Sequence, residues 1–250
     1  MHMLEVKNLM VFFENALALN DFSMAVDEGQ IVGVIGSNSA GKTTLMNTLS
    51  GLILDMRIKE KRRGGERITI YGQILYQGKE ISHVQPSERV KRGIVLCRER
   101  HPVFGESSVM ENLRIAGYLK TRSQVRETVE YVFQVFPALR ELKWRKAGFL
   151  SGGEQQMLAI GMALVANPSL LLLDEPLLGL SPMMQNMLVD AIKGLRDGAG
   201  ITVVLSEQFA RPVLPMIDHG YIIENGMLTL SGTGQELMDN PEVRAAYFGV

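Results

Sequence analysis

The stretch GSNSAGKT at residues 36–43 has the spacing of a loop that holds the phosphates of a nucleotide. It matches the pattern G-x-x-x-x-G-K-[ST] at every fixed position. It follows the apolar run GQIVGVIG (29–36), which predicts a buried strand, and it precedes KTTLMNTLSGL (42–52), which predicts a helix. Because the motif needs this strand and this helix around it, a glycine-rich turn without a nucleotide is the weaker interpretation.

Each part of this loop has an expected role in binding a nucleoside triphosphate with Mg²⁺. The backbone N–H groups from Ser39 to Thr44 cradle the β-phosphate, and Lys42 bridges oxygens of the β- and γ-phosphates. The Thr43 hydroxyl is expected to bind Mg²⁺. The candidate nucleotide-binding residues of the loop are Gly36, Ser37, Asn38, Ser39, Ala40, Gly41, Lys42, Thr43 and Thr44.

Two acidic residues end the apolar run of LLLLDEP at residues 170–176. A strand end beside a phosphate-binding loop is where a carboxylate that holds magnesium belongs, and Asp174 fits that position. Glu175 follows near the γ-phosphate and is the candidate general base that polarises an attacking water. Acids that only end a strand are the alternative, but the position after a phosphate-binding loop favours catalysis.

The stretch LSGGEQQ at residues 150–156 indicates a second point where an anion comes close. Ser151 and Glu154 form an S-x-x-E capping box, which predicts the start of a helix. Gly152 and Gly153 fill its first turn, although a glycine costs about 1 kcal/mol relative to alanine inside a helix. Bare backbone at a helix N-terminus favours the approach of a phosphate. A capped helix with a flexible entry is the alternative.

Antiparallel strands are predicted in the N-terminal part of the chain. LEVKNLMVFF (4–13) and LALNDFSMAV (17–26) alternate partly between apolar and polar residues, and residues 66–81 predict a hairpin rich in β-branched side chains. The basic stretch DMRIKEKRRGGER (55–67) lies between the first helix and this hairpin. We interpret it as a solvated loop, and a contact with anionic lipid headgroups or with a partner is the alternative.

A helical subdomain is predicted to be inserted at residues 105–150. Val125, Val129 and Val132 recur there at helical spacing. After residue 150, helical and strand-like segments alternate, which implies a parallel sheet with crossover helices. The later segments are a helix at 182–196, a strand at 201–206, a hairpin at 219–234 and helices near 235–240 and 241–249.

The composition is that of an ordinary globular protein, with 46% hydrophobic and 21% charged residues. The net charge of -1 argues against a nucleic-acid partner, because such a partner usually requires a basic protein. The single Cys97 excludes an intrachain disulfide and a cysteine metal cage. It fits a buried apolar position in a protein of the reducing cytosol.

Neither a membrane span nor a secretion signal is expected. The apolar runs are shorter than the roughly 20 residues that cross a bilayer, and the N-terminus lacks a basic segment followed by an apolar one. The chain is therefore expected to be soluble or to be held at a membrane by a partner. The histidines show no metal-ligand spacing and are interpreted as surface or packing residues, namely His2, His83, His101 and His219.

The order of phosphate-binding loop, LSGGEQQ and LLLLDEP resembles the nucleotide-binding subunit of ABC transporters, over nearly the whole chain. The resemblance implies ATP and Mg²⁺ as cofactors. In that family two subunits face each other head to tail, and the LSGGQ-type segment of one contacts the γ-phosphate held by the other. The residues expected at this contact are Ser151, Gly152, Gly153 and Glu154, with Ser151 and Gly153 at the γ-phosphate itself.

The fold class that this resemblance implies is α/β. We expect a P-loop NTPase core with a mostly parallel sheet, an N-terminal antiparallel β-subdomain and an inserted α-helical subdomain, together forming an ABC ATPase fold. A single ABC ATPase domain is expected over residues 1–250. Its nucleotide-binding core comprises 1–104 and 151–250, and its helical subdomain comprises 105–150.

Three further positions take roles from the resemblance. Phe13 lies where the family carries an aromatic residue that stacks on adenine; Phe12 is an alternative, and a core position is the alternative for both. Glu99 falls at the Q-loop, where many members have a glutamine that contacts magnesium and the membrane subunit. Gln208 replaces the switch histidine that reads the γ-phosphate. Because a glutamine can donate a hydrogen bond but cannot relay a proton, Glu175 is expected to carry the base role largely alone, and positioning of the water without a base is the alternative.

Several departures from the general family pattern resemble one branch of it. A glutamate at the Q-loop, GLSP at 179–182, the Glu-Gln pair at the switch and the ending NPEVRAAYFG are typical of LivF-type ATPases. These serve importers of branched-chain amino acids and the related urea and amide importers. Ser181 stands where aspartate is common, Met162 stands where the branch usually has arginine, and the basic insertion at 55–67 is longer than usual.

The function implied is an ATP-hydrolysing subunit of a membrane importer, with branched-chain amino acids favoured and urea or amides as the alternative. An exporter ATPase and a soluble ABC ATPase of DNA repair, translation or iron–sulfur assembly are the rivals. The chain lacks the long coiled-coil insertion of repair members and the second ATPase unit of translation members. A non-hydrolysing regulatory role is disfavoured because Lys42, Asp174 and Glu175 are all present.

The partners implied are membrane-spanning permease subunits and a second ATPase subunit. ATP closes the pair, and the helical subdomain and the Glu99 loop pass this movement to the permease. The second ATPase is a sister chain or a second copy, and this branch favours the sister chain. A periplasmic or extracellular solute-binding protein is an indirect partner, and the expected location is the cytoplasmic face of the cell membrane.

Overall fold

The structure, a computed structural model, describes residues 2–65, 67–99 and 102–248. The strands found in this part of the chain are β1 (Leu4–Phe13), β2 (Ala16–Val26), β3 (Ile31–Ile35), β4 (Ile68–Tyr76), β5 (Lys79–Glu80), β6 (Ile94–Cys97), β7 (Leu170–Asp174), β8 (Thr202–Glu207), β9 (His219–Glu224) and β10 (Met227–Gly232). The helices of the same residues are α1 (Lys42–Ser50), α2 (Leu52–Arg63), α3 (Pro86–Lys91), α4 (Val109–Ala116), α5 (Arg122–Val135), α6 (Pro137–Glu141), α7 (Gly152–Val165), α8 (Pro182–Ala199), α9 (Gly234–Asp239) and α10 (Pro241–Phe248).

A parallel sheet forms the centre of the fold, in the strand order β10-β9-β3-β8-β7-β6. Strand β3 pairs in parallel with β8 and β9, β7 pairs in parallel with β6 and β8, and β10 alone runs antiparallel, on β9. Strands β3, β7 and β8 are buried along their whole length. This explains their continuous apolar runs, because a parallel strand covered on both faces has no solvent side.

The N-terminal strands form a second, antiparallel sheet in the order β2-β1-β4-β5. The strands predicted at 4–13 and 17–26 and the hairpin predicted at 66–81 are thereby confirmed. The two sheets are joined by the Tyr221 hydroxyl of β9, which donates to the Ala25 carbonyl of β2 at 2.9 Å and accepts the Ala25 N–H at 3.0 Å. Apolar side chains of both sheets fill the space between them.

Helices α4, α5 and α6 follow β6 in the chain and precede α7. Ser108 and Thr121 cap α4 and α5 with complete capping boxes. Helix α5 packs on α7 at Gly161, where a Cβ atom would lie 2.8 Å from Val132 Cγ1. Helical structure predicted between 107 and 142 is therefore confirmed, and its buried face includes Val129 and Val132.

The interpretation of residues 55–67 as a loop is wrong, because α2 extends to Arg63. Two buried residues, Ile53 and Leu54, anchor the start of this helix. Gly51 directly precedes α2 and Gly64 directly follows it, and both have left-handed backbones, with φ values of 83° and 69°. Lysine, arginine and glutamate have good helix propensity, so a charged run bounded by glycines favours an exposed helix.

Other differences concern short elements. The sequence did not indicate α3 or β6, which have six and four residues. The hairpin predicted at 219–234 is present, but β9 also belongs to the central sheet beside β3. Cys97 ends β6 as a buried residue, and burial raises the pKa of its thiol to about 12. Within the described ranges, no helix combines the length and apolar character that a bilayer crossing requires.

Candidate nucleotide-binding site

The loop between β3 and α1 brings a series of backbone N–H groups around one point. Ser39 has φ 64° and Gly41 has φ 108°, so left-handed residues interrupt the chain just before the helix. Backbone that alternates in this way forms a concave nest of N–H groups that attracts anions. A Cβ atom on Gly41 would lie 2.7 Å from the Ala18 carbonyl oxygen, which explains why this position requires glycine.

Lys42 is the first residue of α1, and only 3% of it is exposed. Its ammonium group donates to the carbonyl oxygens of Gly36 and Ser37, each at 2.9 Å. It also lies 3.1 Å from Glu175 Oε1. The charge of Lys42 is therefore held inside the loop, next to the candidate base.

Asp174 ends β7 directly beside the start of α1. Its Oδ1 accepts a hydrogen bond of 2.6 Å from the Ser206 hydroxyl and lies 3.4 Å from Thr43 Oγ1. Burial raises the pKa of Asp174, while the hydrogen bonds from Ser206 and Thr43 act in the opposite direction. Hydroxyl and carboxylate oxygens therefore meet at the mouth of the phosphate loop, and both are hard ligands that suit Mg²⁺.

Glu175 adopts a left-handed backbone conformation, with φ 48°. A non-glycine residue there is strained by about 1 to 2 kcal/mol, so the surroundings must hold it. Its N–H group donates to Ser206 through both the carbonyl oxygen (3.1 Å) and the hydroxyl oxygen (3.2 Å). The turn directs the side chain toward Lys42, rather than into the buried sheet.

A cavity of about 460 Å³ brings together half of the predicted site residues. Its lining comprises Ala18, Asn38, Ser39, Gly41, Lys42, Thr43, Thr44, Glu99, Glu175, Leu178 and Gln208. The phosphate loop, the Q-loop position Glu99 and the switch position Gln208 therefore share one space. Gly36, Ala40 and Asp174 are buried and Ser37 is exposed, and these four do not line the cavity.

The predicted adenine-stacking residue, Phe13, does not line this cavity. It is half-buried and packs against the core between the sheets. The Phe12 ring meets Tyr71 edge-on, with 6.2 Å between ring centroids. A stacking role for either phenylalanine stays a prediction.

Residues 151–154 lie outside the cavity. Ser151 caps α7, since its N–H donates to Glu154 Oε2 at 2.7 Å and its hydroxyl accepts the Glu154 N–H at 3.4 Å. Ser151 and Gly152 are exposed, and a Cβ atom on Gly152 would meet nothing within 4 Å. A Cβ atom on Gly153 would lie 2.5 Å from Met184 Cε. The predicted capping box is thus present, and its helix N-terminus faces solvent.

The remaining predicted positions have structural partners. Ser181 caps α8, with its hydroxyl 3.4 Å from the Met184 nitrogen, and Met162 packs half-buried against the core. His2 lies 2.7 Å from an Asp27 oxygen, His83 is exposed, and His219 packs beside the Tyr221 ring. His101 lies outside the described residues.

Sequence reasoning missed two supporting residues at the end of β8, Ser206 and Glu207. Only 2% of Glu207 is exposed, and its Oε1 accepts the Leu177 N–H at 2.7 Å. Burial, assisted by the nearby charge of Glu175, raises the pKa of Glu207 to about 8, against the opposing effect of the Leu177 hydrogen bond. The sequence did contain a signal for them, since Ser206 and Glu207 are a polar pair that ends an apolar strand. The carboxyl ends of parallel strands meet at one edge of a sheet, so this pair could be expected near the end of LLLLD.

The fold and this cavity define an α/β nucleotide-binding protein with its site at the carboxyl ends of the central strands. Comparison with known proteins identifies the family. The model of the ABC transporter family matches residues 19–178. The branched-chain amino acid transport ATP-binding protein BraG of Pseudomonas aeruginosa is 38% identical, over 99% of this chain and 100% of its own length.

Two further similarities agree. The probable branched-chain amino acid transport ATP-binding protein LivF of Archaeoglobus fulgidus is 33% identical over 99% of both chains. The ADP conformation of MJ1267, an ATP-binding cassette of an ABC transporter, superposes with a TM-score of 0.83 at 27% identity, covering both chains completely. The chain belongs to the ABC transporter family and is an ATP-hydrolysing subunit of a transporter. The predicted resemblance and the ABC ATPase fold are confirmed.

Proposed function

We propose that this subunit powers the import of branched-chain amino acids, as the names of BraG and LivF indicate for those relatives. The observation that carries the mechanism is the convergence of Lys42, Thr43 and Glu175 in one cavity. ATP is the nucleotide that we assign to it.

Mg²⁺ fits the oxygen groups at the mouth of the loop. Thr43 Oγ1 and Asp174 Oδ1 lie 3.4 Å apart, and Glu99 lines the same cavity. The described residues hold no cluster of three or more His, Cys, Asp or Glu side chains arranged for a metal. Mg²⁺ needs no such cluster, because it keeps several waters and takes phosphate oxygens as ligands. When bound, it neutralises charge on the transferred phosphoryl group.

Hydrolysis requires a water positioned in line with the γ-phosphate. Glu175 polarises this water, and Lys42 stabilises the charge on the phosphate oxygens. Gln208 lines the same cavity and donates a hydrogen bond to a γ-phosphate oxygen, but it moves no proton. Catalysis therefore comes from positioning and charge stabilisation.

Closure of the site requires a second ATPase subunit. The N-terminus of α7 lies outside the cavity of its own chain; Ser151 and Gly152 are exposed there, and Gly153 is buried beside Met184. We propose that it meets the γ-phosphate held by a facing subunit, in a head-to-tail pair of this chain with a sister ATPase or with itself. The N–H groups and partial positive charge of a helix N-terminus suit that contact.

Permease subunits are the proposed recipients of this movement. The proposed helical subdomain 105–150 exposes Tyr118, between α4 and α5, and Trp144, after α6. The two side chains line one surface depression, and an exposed apolar patch of this kind favours an interaction surface. Together with the Glu99 loop they are proposed to contact the permease at the cytoplasmic face of the membrane. Residues 1–104 and 151–250 form the proposed nucleotide-binding core, and a solute-binding protein outside the membrane delivers the solute.

Reconstituted transport tests the proposed solute. The tagged chain is purified from its native membranes with its permease subunits, and the identified complex is reconstituted in vesicles with its solute-binding protein. We expect ATP-dependent uptake of leucine, isoleucine and valine, and no uptake with Lys42→Ala. ATP-dependent uptake of urea or short amides, without uptake of leucine, would contradict the assignment.

A further inference from the structure

Glu207 is a buried carboxyl group beside the site that the mechanism above does not use. It ends β8, one residue before Gln208, and only 2% of it is exposed. Its Oε1 accepts the N–H of Leu177 at 2.7 Å. Leu177 is itself buried, and it lies two residues after Glu175. The side chain of Glu207 therefore holds the backbone that follows the candidate base.

The backbone of the same residue holds the phosphate loop. The Glu207 carbonyl oxygen accepts the N–H of Gly36 at 3.2 Å. Its neighbour Ser206 accepts the Glu175 N–H and donates its hydroxyl to Asp174. The end of β8 is thus bonded both to the loop that binds phosphate and to the turn that carries Glu175.

This turn needs support because Glu175 has a left-handed backbone. Such a conformation persists only where its surroundings over-determine it. Ser206 fixes the N–H of Glu175 at the start of the turn, and Glu207 fixes the N–H of Leu177 at its end. Without Glu207, the buried N–H of Leu177 would lose this acceptor, and the turn would relax to find another.

We propose that Glu207 is a positioning residue for hydrolysis, which holds the turn after β7 so that Glu175 faces the γ-phosphate. This inference rests on the proposed role of Glu175 as the base. Glu207 acts on the geometry of that carboxylate and leaves the binding of ATP by the phosphate loop unchanged. Gln208 at the switch moves no proton, so hydrolysis depends on how precisely Glu175 is placed. Glu207 contributes to that placement.

The chemistry of the buried group agrees with this role. Burial raises the pKa of Glu207, so that near neutral pH the group exists largely as a neutral acid. A neutral acid keeps a carbonyl oxygen that accepts the Leu177 N–H. It also avoids placing a second negative charge beside Glu175.

A pair of substitutions separates position from charge. Glu207→Gln keeps the length of the side chain and an acceptor oxygen, whereas Glu207→Asp keeps the carboxyl group but withdraws it from Leu177. Steady-state ATPase activity is measured with the full chain in its transport complex, and ATP affinity is measured by equilibrium binding. We expect kcat of Glu207→Gln to stay within about threefold, and kcat of Glu207→Asp to fall at least about tenfold with unchanged ATP affinity.

A double-variant comparison links the effect to Glu175. If Glu207 acts through Glu175, Glu207→Asp has little further effect on the residual rate of Glu175→Gln. If Glu207→Asp lowers the ATPase rate by the same factor with and without Glu175→Gln, the inference is overturned. A Glu207→Gln variant that folds but is inactive would also overturn it, even if Glu207→Asp does not fold. Full hydrolysis by Glu175→Gln alone would instead overturn the proposed base, which distinguishes the two failures.

Discussion

At the residue scale, the site depends on a small number of charged groups that lie close together and away from solvent. Lys42 and Glu175 lie 3.1 Å apart and are both largely buried. Each also has backbone partners, so neither charge depends on the other alone. In the proposed mechanism, a γ-phosphate that enters the loop takes over the Lys42 ammonium, and Glu175 then becomes available to a water molecule.

Replacing Glu175 by glutamine tests the base. Glu175→Gln keeps the size of the side chain but removes its basicity, so ATP binding should persist. Steady-state hydrolysis should fall by at least about 100-fold, as expected for loss of a general base. The nucleotide-bound pair should accumulate in gel filtration. Undiminished ATPase activity in this variant would remove Glu175 from that role.

The pKa of Glu207 makes stability depend on pH in a defined direction. Its pKa is raised from 4.5 to about 8 in the folded chain because the group is buried. Between these values the folded state binds a proton that the unfolded state does not, so stability falls as pH rises. The slope reaches about 1.4 kcal/mol per pH unit and ends above the folded pKa.

Glu207→Gln removes this titration, so the difference in stability between this variant and the wild-type chain isolates the contribution of Glu207. Thermal unfolding of both proteins is measured from about pH 5 to about pH 8. The melting temperature of the variant, relative to that of the wild-type chain, should rise steadily across this range. A difference between the two that does not change with pH would contradict the raised pKa.

At the scale of elements, the buried Arg89 of α3 joins the end of α1 to the loop after β5. Its guanidinium donates hydrogen bonds to backbone carbonyls of five residues, namely Thr48, Leu49, Ile81, Ser82 and Val84. Burial lowers the pKa of Arg89 to about 10, and the group still carries its charge at neutral pH. The C-terminal carbonyls of the helix that begins with Lys42 are satisfied by this side chain.

Arg89→Met should therefore destabilise the chain. It leaves buried carbonyl groups without donors, and we expect a loss of about 3 kcal/mol or more in the free energy of unfolding. The control is Arg92→Met, because Arg92 is exposed just after the same helix and should change stability by less than about 0.5 kcal/mol. Equal chemical-denaturation midpoints for the two variants would show that the buried network contributes nothing.

The elements were predictable where one local signal dominated. The capping box at Ser151 predicts the start of a helix, and the apolar runs of β3 and β7 predict buried strands. The charged helix α2 was missed because its residues carry no apolar stripe after Leu54. Strand β6 was missed because four residues hold too little pattern, and its position follows from pairing with β7. Such pairing is a tertiary effect that a local reading does not contain.

Motif spacing and resemblance identified the predicted site residues, half of which line one cavity around Lys42, and their roles stay predictions. The supporting bonds were not predictable. Ser206 and Glu207 lie more than 30 residues after Asp174 in the chain, and only the sheet register of β7 against β8 brings them together. The stacking role of Phe13 came from the resemblance alone and stays a prediction, because this residue does not line the cavity.

At the scale of the whole molecule, the exposed helix N-terminus at Ser151 is proposed to act on ATP that a partner subunit holds. Ser151→Arg places a bulky cation there and should block formation of the nucleotide-bound pair and abolish cooperative hydrolysis. ATP binding by a single subunit should be nearly unchanged, because residues 151–154 do not line its cavity. Equilibrium binding and light scattering measure the two properties.

The chain offers a matched control for this substitution. Ser108 caps α4 with the same capping box, so Ser108→Arg removes an equivalent helix cap, which costs about 1 kcal/mol. It should leave formation of the pair intact. A large loss of single-subunit ATP affinity in Ser151→Arg, or equal loss of pairing in both variants, would contradict the two-subunit site.

The most direct measurement is the structure of the Glu175→Gln variant with ATP and Mg²⁺, determined for the closed pair. We predict that the γ-phosphate lies between Lys42 of one subunit and the N-terminus of α7, at Ser151 and Gly153, from the facing subunit. A γ-phosphate enclosed entirely by residues of the chain that binds it would contradict the account.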